Sequence, residues 1–486
     1  MLCPKCNMKS SMDLQQKNKL LFARAGFGIS VKDYQDPLPL EEAIKGLFPK
    51  SAPGPLEMVT DEEWVHNSPR AMKEITDEAL RKEKAKEFRA ITKDLNILWE
   101  TAMVSSYYPL LEKTALFWHG HFATHVDNPY FDQKLLHIFR KNALGNFGTM
   151  LREVSKSPAM LQYLNNRQNK KQHPNENFAR EVMELFTLGR GNYSEDDVKE
   201  AARAFTGWNF TDEGEFIFRK GQHDDGEKKF LGRTGNFTGD DILNILLEEK
   251  QTSVFITRKL YRFFVSDEDI NEKRVAELAR SFHKSNFDIG ALLSDIFHSS
   301  WFYHDDVPGS KIKSPLELLV GYQRLLPMRF SKDNIVINLQ RVLGQYLFNP
   351  PNVAGWPGGR NWIDSSSLVI RMRLPEAFFG SKELDLTAKN TDKEMAGTTH
   401  TMIPAGGDAR PFKVGKVDVQ WDNYLDAWRK YSKDELPAAL AGFLLPVAIS
   451  TAQLKELVTF ADTDNTDEYI KSLTILMMQL PEFQLS

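Results

Sequence analysis

Ser194-Glu195-Asp196-Asp197-Val198-Lys199-Glu200-Ala201-Ala202-Arg203-Ala204-Phe205 is the stretch whose pattern decides the fold class. A serine with a carboxylate three residues later is a capping box, which satisfies the free N–H groups at a helix start. Behind it, Val198, Ala201, Ala202 and Phe205 fall at i, i+3, i+4 and i+7, a single apolar stripe on the helical period. This segment is an amphipathic helix.

The same period recurs on both sides of it. Ser68-Pro69 has the form of an N-cap followed by proline at the first helical position. It opens a long charged helix reaching toward Met103, with Glu78 and Lys82 paired at helix spacing. Residues 107–122 continue as a more apolar helix, and Asn128-Pro129 opens another that carries Leu135, Leu136, Phe139 and Leu144. Further helices are predicted from Asp240, over 255–264, 274–282, 289–297, 315–326 and 335–347, and in a final group over 421–480. Strand character is confined to 208–237, where 215–218 and 228–231 flank Gly221-Gln222-His223-Asp224-Asp225-Gly226. The predicted class is therefore all-α, multi-helix and globular, with one small β-hairpin excursion near 210–235.

With 486 residues and 41% hydrophobic content, the chain can bury a large core. A net charge of -4 offers no general attraction to nucleic acid or anionic lipid, so no nucleic-acid partner is expected. No run of about 18 apolar residues predicts a transmembrane segment, and the first residues lack a secretory pattern, so the expected location is cytoplasmic. The two cysteines, Cys3 and Cys6 in Cys-Pro-Lys-Cys, supply half of the roughly four ligands a closed zinc site needs. Lack of a disulfide framework agrees with a reducing compartment. Residues 1–12 are expected to form a disordered tail and 13–380 the main helical domain, whose motif-rich core is 117–237. Polar, Gly-rich 381–418 is expected to be a linker or lid, and 419–486 a group of helices packing on the main domain.

The densest chemistry lies in Phe117-Trp118-His119-Gly120-His121-Phe122-Ala123-Thr124-His125, three imidazoles within seven residues. About fifty residues later, Asn175-Glu176-Asn177-Phe178-Ala179-Arg180-Glu181-Val182-Met183-Glu184-Leu185 is a helical segment with three carboxylates. Together with Ala25-Gly26-Phe27-Gly28, Asn128-Pro129-Tyr130, Asn142-Ala143-Leu144-Gly145-Asn146-Phe147, His223-Asp224-Asp225-Gly226, Lys313-Ser314-Pro315, the Pro-rich loop at 350–362 and the closing Pro481-Glu482-Phe483-Gln484, these motifs resemble the bacterial domain-of-unknown-function family numbered 1800. The resemblance runs in order along nearly the whole chain. It implies a predominantly helical fold and no established activity. It also implies a possible partner, since genes of this family often neighbour those of a sulfatase-like family that is commonly exported. The missing export signal departs from exported members and leaves the compartment open.

A chemical reading has to come from the residues. If His119 and His121 lie in an extended turn loosened by Gly120, they form an H-x-H metal pair; if the helix continues, His121 and His125 share a face at i, i+4. The resemblance favours His119 and His121. Glu181 and Glu184, three apart, would add an oxygen ligand and a general base, with His223 and Asp224 closing the site. The bland counterpart is that His119 caps a helix end, and that Glu176, Arg180 and Glu184 make a salt-bridged face. Phe178, Val182, Leu185 and Phe186 are expected to face the core.

Dinucleotide, P-loop, zincin and nucleophile-elbow signatures are absent. Trp356 and Trp362, on the Gly/Pro loop, would serve either as a stacking platform for a ligand or as plugs pinning the loop. The expectation is a metal-assisted hydrolase or transferase using a divalent metal. Its alternative is a non-catalytic scaffold or accessory protein for a sulfatase-like partner.

Overall fold

A computed structural model describes residues 12–51, 53–60, 76–304, 306–332, 334–380, 384–386 and 412–486. Cys3, Cys6, the Ser68-Pro69 helix start and most of the expected linker lie outside these residues. Helices α1 (Leu14–Ala25), α2 (Val31–Gln35) and α3 (Leu40–Gly46) come first, followed by α4 (Glu78–Ser105) and α5 (Pro109–His121). Then come α6 (Pro129–Asn142), α7 (Phe147–Ser155), α8 (Pro158–Tyr163), α9 (Asn177–Glu184) and α10 (Glu195–Ala204). After two hairpins follow α11 (Gly239–Glu248), α12 (Lys250–Phe264), α13 (Glu272–Lys284) and α14 (Ile289–His298). The remainder are α15 (Pro315–Leu325), α16 (Asn334–Leu343), α17 (Ser365–Phe379), α18 (Asp422–Trp428), α19 (Leu436–Leu444), α20 (Thr451–Val458) and α21 (Thr466–Met478). The mainly helical class is thus the one the periodicity predicts.

Helix starts are local in origin. Ser194 Oγ accepts from the Asp197 N–H while the Asp197 carboxylate accepts from the Ser194 N–H, so the capping box forms as its sequence requires. Asn128 caps α6 ahead of Pro129 in the first turn, and Asp77 caps α4. Each such cap contributes about 1 kcal/mol.

The single hairpin expected near 210–235 is instead two. β1 (Trp208–Phe210) pairs antiparallel with β2 (Phe216–Phe218), and β3 (Lys228–Phe230) with β4 (Arg233–Gly235). Both strands seen in the sequence exist, but they do not pair with each other. The turns explain why: Gly214 at φ +81°, and Leu231 and Gly232 at φ +47° and +77°, reverse the chain locally, so each strand finds its nearest neighbour. Two further pairs join β5 (Met328–Phe330) to β8 (Val417–Val419) and β6 (Leu384–Leu386) to β7 (Phe412–Val414). Three-residue strands are too short to show alternation in sequence.

The chain divides into two compact units. The first comprises Met1–Ala43, Ser300–Tyr346 and Pro357–Ser486. Its core gathers Tyr322 of α15, Phe378 of α17, Trp428 of α18, Leu440 of α19 and Leu473 of α21, all buried. The second comprises Ile44–Ser299 and Leu347–Trp356. There α5 packs on α6, which in turn contacts α4 and α7, while α9 packs on α10. Phe122, Phe139 and Phe147 stack near-parallel at 6.2–6.3 Å around the end of α5. Burying each such ring contributes roughly 1.5–3 kcal/mol.

Candidate functional site

The histidine-bearing helix is held by a buried ion pair. Glu112 of α5 accepts from Arg140 Nε and Nη2 of α6, the latter at 2.7 Å, and from Trp99 Nε1 of α4 at 3.0 Å. Arg140 Nη1 donates to the Gly54 carbonyl at 2.6 Å. The helix then continues through His121 and is capped at Phe122. Consequently His119 and His121 are not in an extended turn; two residues apart on a helix, they point about 200° apart. The helix also ends before His125, so the i, i+4 pair does not form either.

His119 accepts the Phe348 N–H on Nε2 at 3.0 Å. Its ring sits among Trp99 (5.2 Å), Phe348 (5.1 Å) and Trp356 (5.4 Å). Burial pushes its pKa down to about 3, so it is neutral throughout the physiological range. The loop bearing Phe348 and Trp356 comes close because Gly355 carries no side chain. A Cβ there, at φ +81°, would lie 2.2 Å from the Gly120 carbonyl oxygen.

His121 uses both ring nitrogens. Nε2 lies 3.2 Å from the Phe186 carbonyl and Nδ1 lies 2.9 Å from Lys259 Nζ of α12. A carbonyl can only accept, so Nε2 carries the proton and the Nδ1 lone pair receives the ammonium. Burial and then the Lys259 charge hold His121 well below its ordinary pKa, partly offset by the Phe186 carbonyl. Burial also lowers Lys259 to about 8. Lys259 gave no signal in the sequence, because a single lysine on a helix normally faces water; only its distant partner, 138 residues away, marks it.

His223 and Asp224 form a clamp of their own. His223 Nδ1 donates to the Thr206 carbonyl at 2.9 Å, and Asp224 takes Arg203 Nε at 2.8 Å and Nη2 at 3.2 Å. Asp224 Oδ1 also accepts the Gly226 N–H, the local turn bond that Asp makes readily. Arg203 is the main cause holding the Asp224 carboxyl below its ordinary pKa. Among the described residues no group of three or more His, Cys, Asp and Glu side chains converges as a metal site would require. The four expected ligands, His119, His121, His223 and Asp224, are therefore not assembled into one set.

The carboxylates of α9 are arranged differently. Phe178, Val182 and Phe186 are buried as expected, whereas Leu185 is only half-buried. Arg180 pairs with Glu176 at 3.0 Å and with Glu195 at 2.8 Å, not with Glu184. Glu184 instead binds Arg190 and accepts from Tyr193 Oη at 2.6 Å. Although burial acts the other way, Tyr193 and Arg190 hold the Glu184 carboxyl below its ordinary pKa. Glu181, one turn earlier, is half-buried, and neither an ion pair nor a side-chain hydrogen bond engages it among the described residues. Burial, then the Glu184 charge, raise its pKa, against weaker opposing effects of Arg180 and Arg190. The Glu181 charge in turn adds to burial in raising the Tyr163 phenol.

Trp356 is half-buried, its ring 5.4 Å from that of His119. Trp362 is buried in a short 3₁₀ turn (Gly359–Trp362) of the other unit, its carbonyl accepting Ser367 Oγ. Among the described residues, no helix is long and apolar enough to cross a membrane. No curated protein and no solved structure matches the chain. The family model described as "Protein of unknown function (DUF1800)" matches residues 20–485, which is nearly the whole length. The chain belongs to the DUF1800 family.

Proposed function

We propose that the chain is a hydrolase or transferase working by general acid–base catalysis, with Glu181 as the proton-carrying acid and Glu184 as the ionised carboxylate. The observation that carries this reading is the contrast between two carboxyls one turn apart on α9: Glu181 is half-buried with no ion pair or side-chain hydrogen bond among the described residues, while Glu184 is held by Arg190 and Tyr193. Burial and then the Glu184 charge, against weaker effects of Arg180 and Arg190, favour the protonated form of Glu181, while Tyr193 and Arg190 favour the ionised form of Glu184. Neighbouring acids whose environments drive their pKa values apart are what acid and base assignments require. A protonated Glu181 can give its proton to a leaving group, and once ionised its charge reaches the Tyr163 phenol. The imidazoles stand outside this reading. His119 and His121 have lone pairs engaged by a backbone N–H and by Lys259, and among the described residues the potential metal donors do not converge.

The test is a panel of chromogenic esters, phosphates and glycosides turned over by the full-length protein and by Glu181→Gln and Glu184→Gln. At least one class should be hydrolysed, and Glu181→Gln should lower kcat by about 100-fold or more. It should also abolish the loss of activity as pH rises past the Glu181 pKa, because a general acid must be protonated to act. No turnover of any class, or an unchanged Glu181→Gln, would refute the assignment. Elemental analysis after purification in metal-free buffer tests the metal-assisted version. Stoichiometric retained metal whose removal abolishes turnover would restore it.

A further inference from the structure

The first unit contains a cavity of about 100 Å³ whose apolar wall includes Phe27, Leu318, Phe443 and Phe483. Among its lining side chains Lys19, Lys313 and Arg324 are cationic and Glu317 is acidic; Ser486, whose main-chain oxygen accepts from Arg24 Nη2 at 2.7 Å, lines it too. Glu317 is already neutralised. Lys311 Nζ donates to its two oxygens at 3.0 and 2.9 Å, and the Ser314 N–H donates at 2.7 Å in the capping box of α15. Lys313 donates to the Phe483 carbonyl at 2.6 Å and lies 3.8 Å over the Phe483 ring.

Lys19 is the informative group. Its side chain on α1 is buried, at 8% exposure, and its Nζ donates to the carbonyls of Gly442 and Leu445 at the C-terminal end of α19. In its charged form Nζ has three N–H donors, one more than these two contacts use. Among the described residues no carboxylate makes an ion pair with it. A buried cation without a counter-charge is costly, and buried charges are normally paired. Burial lowers Lys19 to about 7.

We propose that this cavity binds a short or branched monocarboxylate, whose carboxylate supplies the missing counter-charge at Lys19 while its hydrocarbon body lies against Phe27, Leu318, Phe443 and Phe483. The volume sets the size. An apolar cavity of roughly 150 Å³ admits a benzene ring, so this one suits a body of about four or five carbons. The backbone is shaped for it too: a Cβ on Gly321 would lie 3.2 Å from the Phe27 carbonyl oxygen, so glycine lets the loop after α1 rest on α15. Phe27 belongs to Ala25-Gly26-Phe27-Gly28, Lys313 to Lys313-Ser314-Pro315, and Phe483 to Pro481-Glu482-Phe483-Gln484. These three motifs have no part in the carboxylate pair of α9, and all three line this cavity. The inference does not depend on the acid–base reading.

Isothermal titration of the full-length protein with isovalerate, isovaleramide and acetate tests the proposal. Isovalerate should bind on the order of tenfold more tightly than the isosteric amide, which lacks the charge, and more tightly than acetate, which lacks the body. Lys19→Met should weaken isovalerate by a similar factor and leave isovaleramide nearly unchanged. Equal affinity for acid and amide, no isovalerate binding at about 10 mM, or a folded Lys19→Met that binds isovalerate undiminished would each overturn it. The acid-to-amide comparison uses the unaltered protein, so it decides the matter even if Lys19→Met does not fold.

Discussion

Replacing Arg140 with methionine tests whether the helix carrying His119 and His121 is positioned by its buried ion pair. Glu112 and Arg140 are 2% and 6% exposed, so neither charge has bulk water to fall back on. Among the described residues Arg140 contributes two of the three donor groups that reach the Glu112 carboxylate, and the substitution leaves Trp99 Nε1. Removing one partner of such a pair costs about 3–5 kcal/mol, because the remaining charge stays buried and uncompensated. Against a total stability of roughly 5–15 kcal/mol, that is a large fraction. Equilibrium unfolding in urea, followed by tryptophan fluorescence, should show a lower midpoint at unchanged slope. Adding Glu112→Leu removes the stranded charge and should recover about 2 kcal/mol. It leaves the Trp99 N–H unpaired, a smaller penalty of about 1–3 kcal/mol. If Arg140→Met loses less than about 1 kcal/mol, or the double variant is no more stable than the single, the ion pair is not what holds the helix.

Acid should destabilise the second unit through its buried imidazoles. His119 is depressed to about 3 from an ordinary 6.5, so its contribution is present above pH 6.5 and is lost as pH falls toward 3; at pH 5 the loss is about 2 kcal/mol. His119→Gln keeps an acceptor for the Phe348 N–H and should show a shallower fall in melting temperature between pH 7 and 5; an identical fall would contradict the burial argument. Phe178→Ala should cost about 3–5 kcal/mol, since its ring packs 4.8 Å from Phe205 in a buried site, and a loss below 1 kcal/mol by chemical unfolding would show that the site collapses. Glu181→Gln should melt no earlier than the parent at pH 7. A carboxyl with a raised folded-state pKa loses stability as pH rises through that value, and the amide does not; an earlier melt would contradict the burial argument for Glu181.

Much of the secondary structure was legible because its causes are local. The Ser194 capping box, the Asn128-Pro129 start and the apolar stripe behind each need only a few neighbouring residues. Both strands near the polar loop were legible for the same reason, but not their partners, since pairing is a choice among neighbours that the turns at Gly214 and Gly232 make. Glu181 and Glu184 were visible as carboxylates one turn apart; that one is raised and the other lowered depends on burial and on where Arg190 and Tyr193 return to the helix.

The histidines show the same division most sharply. Sequence alone determined that His119 and His121 flank Gly120 at the end of an apolar helix, because composition and period are properties of consecutive residues. Only the tertiary structure decided that His119 receives a backbone N–H from 229 residues away and His121 an ammonium from 138 residues away. An imidazole has the same donors and acceptors in any chain; whether its lone pair meets a metal, a proton or a packed N–H is set by distant segments that the packing of the core brings within about 3 Å.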